Sequence, residues 1–204
     1  MEIGMKRLPW IAAIATALLF VAAVAGFGAA LDGYSQARHP VGLLGASGVP
    51  HALAFNVIGF VLPGVLAAFV AWRLRAAVGD EAPWAARIGA WLALLSAIAF
   101  AAQGLLPLDP GDLESSASRA HATAWTLWWV ALLPATLLLA IGLRGEPASR
   151  ALVLASAAAA VVVVVLAMLP LDLLAPAAAQ RVVFAAWLAW VVAAGSKAGD
   201  RSAS

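Results

Sequence analysis

The stretch VPHALAFNVIGFVLPGVLAAFVAW, residues 49–72, carries no Asp, Glu, Lys or Arg from end to end. As a helix it would be ~36 Å long, and a bilayer core of ~30 Å needs ~20 helical residues to cross. Read as a membrane span, it makes sense of the rest of the chain. Of the 204 residues, 65% are hydrophobic and 11% charged, against ~45–50% and ~25% in soluble domains. A soluble fold of this length cannot hide that much Ala, Leu, Val and Trp, so lipid must solvate the excess.

Working outward from that stretch, five further apolar segments are long enough to span: Trp10–Ala30, Trp84–Leu106, His121–Leu143, Ala151–Leu169 and Val182–Ala194. The last is short and extends across 180–195. Open sheets would leave backbone groups unpaired in lipid, so these segments are helices. The expectation is an all-α, six-helix transmembrane bundle of three helical hairpins, with residues 1–204 forming a single integral membrane domain. The first segment follows Lys6-Arg7 like a signal peptide. Its apolar run exceeds the ~7–15 residues of such peptides, so it reads as a retained helix.

Charge sets the expected orientation. Lys6, Arg7, Arg73, Arg75, Arg87, Arg144, Arg150, Lys197 and Arg201 fall on one side of the spans, and only Arg38, Arg119 and Arg181 on the other. That asymmetry places both termini in the cytoplasm, in a multi-pass protein of the cell membrane. Trp10, Trp72 and Trp84 then fall near the inner interface. Trp125, Trp128, Trp187 and Trp190 fall in the outer part of helices 4 and 6, where amphipathic rings are common. The basic residues form short groups at span ends rather than a patch, which suits anionic lipid and not nucleic acid. With no cysteine, disulfides, thiolate chemistry, iron–sulfur clusters and Cys-ligated zinc are excluded.

The outer ends repeat. Leu106-Pro107-Leu108-Asp109 closes helix 3 and Leu169-Pro170-Leu171-Asp172 closes helix 5, while helix 1 ends Leu31-Asp32. A His or Arg then opens each following helix: His51, His121 and Arg181. Leu62-Pro63 and Leu133-Pro134 recur inside helices 2 and 4.

Two stretches resemble a bacterial and archaeal family, domain of unknown function 998. One is His39-Pro40-Val41-Gly42-Leu43-Leu44-Gly45 with Pro50-His51, Phe55-Asn56, Gly59 and Gly64. The other is Gly104-Leu105-Leu106-Pro107-Leu108-Asp109 with its acidic loop, His121 and the Pro134 region. The family is distantly similar to six-helix proteins of the Frag1/DRAM/Sfk1 type, which are linked to lipid organisation. The resemblance implies the six-helix layout and leaves activity open.

His39, His51 and His121, with Asp32, Asp109, Asp172, Arg38, Arg119 and Arg181, all lie on the predicted outer side. Packed hairpins would gather them into a polar cup. Asn56 lies ~7.5 Å deeper than His51 at helical rise. Gln103 and Ser96, seven residues apart on one face, could meet it as a polar floor. His39, His51, Asn56, Gln103, Asp109, His121 and Arg181 are therefore the candidate ligand-binding residues. The first reading is a protein holding a lipid headgroup or hydrophobic small molecule there, with membrane lipids as partners and no cofactor. A second makes His39, His51, His121 and Asp109 the ligands of zinc or another divalent metal in a membrane-embedded hydrolase of lipid-like substrates. A third is a scaffold whose small-residue faces bind a partner or a second copy of the chain. Against all three stands the plain reading of His at span ends and Asp in loops as capping and loop architecture. Bis-His haem is disfavoured because it wants ligands sealed within the bundle. No Asp, Glu, Lys, Arg or His lies mid-helix, which argues against an ion channel or proton-driven transporter.

Overall fold

The computed structural model describes residues 2–168 and 174–200 and is all-helical, with no strand among them. The six long helices are α1 (Glu2–Ala30), α2 (Ala52–Val78), α3 (Trp84–Leu105), α4 (Ser116–Leu143), α5 (Arg150–Val163) and α6 (Pro176–Asp200). A π-turn, Val164–Met168, continues α5. All six are long and apolar enough to cross a membrane. Successive helices pack together, and α6 closes the ring on α1 while also reaching α2. The termini share one end of this bundle: Gly195 near the end of α6 packs on Pro9 and Ala13 of α1.

The helices run past the apolar segments at several ends. Starting at Glu2 rather than Trp10, α1 takes Lys6, Arg7 and Pro9 into the helix. Similarly, α2 continues from Trp72 to Val78 through Arg73 and Arg75. α4 begins at Ser116, with the Ser115 side chain accepting from Ser118 N, so it starts five residues before His121. α6 opens at Pro176, well before the expected 180. The reason is common to all: a helix need not stop where hydrocarbon does, and the local signals lie outside the apolar run. Ser at an N-cap and Pro in the first turn are such signals. The repeat Leu169-Pro170-Leu171-Asp172, with the expected end of helix 5 at Leu169, lies outside the described residues.

Within α2, residues Asn56–Val61 form a π-turn, and the Leu62 N–H reaches back five residues to Val57 O. Pro63 follows at once. Pro has no N–H to donate and its ring crowds the preceding turn, so the wider turn accommodates it. Beside it Gly64 lets α2 touch α3, since a Cβ there would lie 2.6 Å from Ala101 N. At the α3–α4 contact a Cβ on Gly142 would lie 2.5 Å from Ala86 N. Close small-residue approach of this kind is how helices associate when lipid is as apolar as their own side chains.

The core is aromatic. Phe20, Phe60, Phe100, Trp128, Phe184 and Trp187 come from five different helices, and Phe100 stacks on Trp187 at 4.2 Å. Trp128, Trp187 and Trp190 are therefore buried in the bundle, not set in an interfacial belt. Their hydropathy is compatible with both places; the face of the helix they occupy decides. Trp190 meets its polar need inside, donating to Ser156 Oγ at 2.9 Å. Trp10, Trp72 and Trp84 are exposed near the end that carries the termini.

That end is tied by charge. Lys197, buried on α6, lies 3.3 Å from the Glu146 carboxylate in the α4–α5 connection, and Ser149 Oγ donates to the same carboxylate at 2.5 Å. In the α2–α3 turn Arg75 binds Asp80 at 2.6 Å, and this hydrogen bond and charge hold the Asp80 carboxyl below its ordinary range.

Candidate functional site

At the end opposite the termini, the long α1–α2 connection folds back over the bundle. Its short helical turn Val41–Gly45 buries Val41 and Leu44, Ala46 after it is buried too, and the segment acts as a plug. Every side of the plug is fastened. Val41 N donates to Gln180 Oε1 of α6 at 2.9 Å, and Ser47 N to Leu108 O at 2.9 Å. Asn56 Nδ2 of α2 donates to Gly45 O at 2.9 Å. A Cβ on Gly42 would sit 3.0 Å from His121 Nε2 of α4, and one on Gly45 would collide with the Asn56 amide oxygen. Glycine is needed at 42 and 45 because the plug backbone lies directly on those side chains.

The residues expected to line an open cup are thus divided, and the chain itself occupies the space. Asn56 is buried, and its Nδ2 donates to Gly45 O of the plug. His121 is half-buried; its Nδ1 hydrogen-bonds Leu106 O at 2.8 Å and its ring meets Phe60 edge-on. Asp109 closes its own turn, accepting from Gly111 N at 2.9 Å, while its backbone N–H goes to Ser118 Oγ. His51 is exposed and sits at φ 61°, the left-handed region, where it turns the chain from plug into α2. That conformation is uncommon for a residue with a side chain, though His enters it more readily than most. Gln103 is buried with its Nε2 unpaired among the described residues, and Ser96 donates to Trp128 O on α4, so no polar floor joins them to Asn56. His39 stands apart, its Nδ1 accepting from Ser35 N at 2.9 Å and its ring against Tyr34. Among the described residues no three of His, Asp or Glu come together as a metal-ligating group, so His39, His51, His121 and Asp109 are not one site.

Arg181 is different. Beside the plug, α1 and α6 leave a groove of about 650 Å³ whose walls are mostly apolar, among them Phe20, Val24, Phe184 and Leu188. Arg181, Tyr34 and Gln36 stand at its polar mouth. Arg181 Nη2 donates to Tyr34 OH and to Gln36 Oε1, each at 2.8 Å, and Nη1 donates to Ala177 O at 2.8 Å. Gln36 in turn donates to Val24 O at 2.8 Å, lying flat on α1 where Gly28 has no side chain; a Cβ there would collide with the Gln36 amide. Burial pushes the Tyr34 phenol above its ordinary pKa, opposed by the charge and hydrogen bond of Arg181. It therefore keeps its proton at neutral pH, and donates it to Pro40 O at 3.3 Å.

Of this mouth only Arg181 was legible in the sequence. Tyr34 is the one tyrosine in the chain, and a single phenol in an outer loop is the signal that could have found it. Gln36 and Gly28 carry no signal until the loop is folded onto α1.

A family model described as a protein of unknown function, DUF998, matches residues 13–197. No curated protein and no solved structure matches the chain.

Proposed function

Because the chain belongs to the DUF998 family of proteins of unknown function, no activity reaches it through kinship, and we propose that this multi-pass membrane protein binds an amphiphilic molecule in the α1–α6 groove. The single observation that carries this reading is the polar mouth of Arg181, Tyr34 and Gln36 set at the end of an apolar groove of about 650 Å³. Ligand sites of ~300–1,000 Å³ with mostly apolar walls and a few fixed polar groups are the usual form. The lipid-handling reading of the sequence is kept, and its place moves from the cup, which the plug fills, to the flank of the plug.

The test uses the natural cavity wall. Ala25 lines the groove and is exposed there, so a large side chain at this position projects into the open space. Wild-type protein purified in mild detergent is expected to release about one amphiphile per chain on organic extraction, as a single groove of this form would hold. Ala25→Trp, which fills the groove, should release far less. Equal amounts from both proteins, or none from either, would end this reading.

We also propose that the mouth faces away from the cytoplasm, with both termini inside, on the strength of nine basic residues against three across the two sides. The chain contains no cysteine, so single substitutions report cleanly. Ser47→Cys and Ser116→Cys, both at exposed positions, are expected to react with a membrane-impermeant maleimide on intact cells. Ser196→Cys should react only after permeabilisation; the reverse pattern would invert the topology.

A further inference from the structure

The chemistry of the groove's mouth names the class of its occupant, on the premise that the groove binds an amphiphile. A guanidinium has five N–H donors. In Arg181 the Nε–H goes to Gln36 Oε1 at 3.1 Å, both Nη2 hydrogens to Gln36 and Tyr34, and one Nη1 hydrogen to Ala177 O. All these acceptors are neutral. Among the described residues no carboxylate pairs with Arg181, although carboxylates do pair with Arg75 and Lys197. The described residues thus fix the plane of this cation with four bonds while none of them matches its charge. One Nη1 hydrogen and one hydrogen of the Gln36 amide remain for an incoming acceptor. Charge held this way beside apolar walls favours an anion, and the guanidinium fork suits phosphate oxygens.

The groove also sets direction and length. Its wall on α1 runs from Phe20 to Ala29, nine steps or ~13.5 Å at helical rise. One leaflet of a ~30 Å core is ~15 Å deep. Val21 on that wall is 57% exposed, so the groove opens sideways, where phospholipid is the surrounding solvent. We propose that the groove holds an anionic glycerophospholipid of the adjacent leaflet, its acyl chain along α1 and α6 and its phosphate at Arg181.

The experiment reconstitutes the full chain in nanodiscs of equal phosphatidylglycerol and phosphatidylcholine, releases it in the gas phase and weighs what stays bound. Wild type is expected to retain one lipid, with phosphatidylglycerol enriched about fivefold, the gain of roughly one basic contact at a membrane surface. Arg181→Gln should retain lipid without the enrichment. Arg181→Lys, which keeps the charge, should preserve most of it and separates loss of charge from loss of fold. Retained lipid with no headgroup preference in wild type, or a preference that survives in Arg181→Gln, would overturn the assignment while leaving amphiphile binding intact. Displacement of the phospholipid by equimolar oleate would overturn it in favour of a free fatty acid. A wild type that retains no lipid overturns the groove as a binding site altogether.

Discussion

Gly45→Ala is expected to destabilise the protein by about 2–3 kcal/mol, well beyond an ordinary exposed-loop change. A Cβ at position 45 collides with the Asn56 amide oxygen, so the side chain must swing away and release the bond from Asn56 Nδ2 to Gly45 O. Both groups are buried, and a buried polar group left unpaired costs ~1–3 kcal/mol. Asn56→Leu should cost a similar amount by stranding the same carbonyl. Because the two substitutions break one contact, the double variant Gly45→Ala/Asn56→Leu should cost little more than the worse single one. Thermal unfolding in detergent reads the stability, and hydrogen exchange at residues 41–48 reads whether the plug has lifted. Gly26→Ala is the matched control, since a Cβ there meets nothing within 4 Å. Additive costs in the double variant, or unchanged exchange in the plug, would show that Asn56 does not fasten it.

The second large effect lies in the core. Phe100 touches Phe20, Phe60, Trp128, Phe184 and Trp187, with centroid distances from 4.2 to 5.9 Å. Those rings come from α1, α2, α4 and α6, so one side chain on α3 couples five helices. Phe100→Ala leaves a cavity, and aromatic truncation in a packed core costs ~3–5 kcal/mol in soluble proteins. In a bilayer the transfer part of that cost shrinks, because the dissociated helices remain in lipid and lose no apolar solvent. The lost packing remains, which places the expected value near the lower end, about 3 kcal/mol. Phe100→Leu should cost distinctly less. Ile98→Ala, two residues away and 53% exposed to lipid, should change stability by under ~0.5 kcal/mol. Equal losses at 98 and 100 in a denaturation series would mean that the aromatic cluster does not hold the bundle.

The candidate site was legible only in part, and particular residues show why. Arg181 stands out in the sequence as a lone cation at the start of the last span, and the structure puts it at the groove's mouth. Asn56 stands out as an amide among apolar residues, and it proves to hold the plug. For His121 and Asp109 the loop reading describes what they do: each bonds to nearby backbone, at Leu106 and Gly111. Seen in sequence, a His before a span serves equally as ligand, headgroup contact or loop fastener, because residue type sets what a side chain can bind and not what stands next to it. Gly42 and Gly45 carry no sign of their neighbours in the sequence; they are the places where the plug's backbone lies on His121 and Asn56.

Composition and span length alone determined that this chain belongs in a membrane and that it has six helices long and apolar enough to cross it. Those properties follow from solvation: an apolar run of ~20 residues has one stable place and one stable conformation in lipid. Which face of each helix turns inward was decided only by tertiary packing, since an apolar residue is equally at home against lipid or protein and leaves no hydrophobic periodicity to read. Tertiary structure alone therefore sends Trp128 and Trp187 to the core, folds residues 41–48 into the space that a cup would have filled, and leaves between α1 and α6 the groove where Arg181 waits without a carboxylate among the described residues.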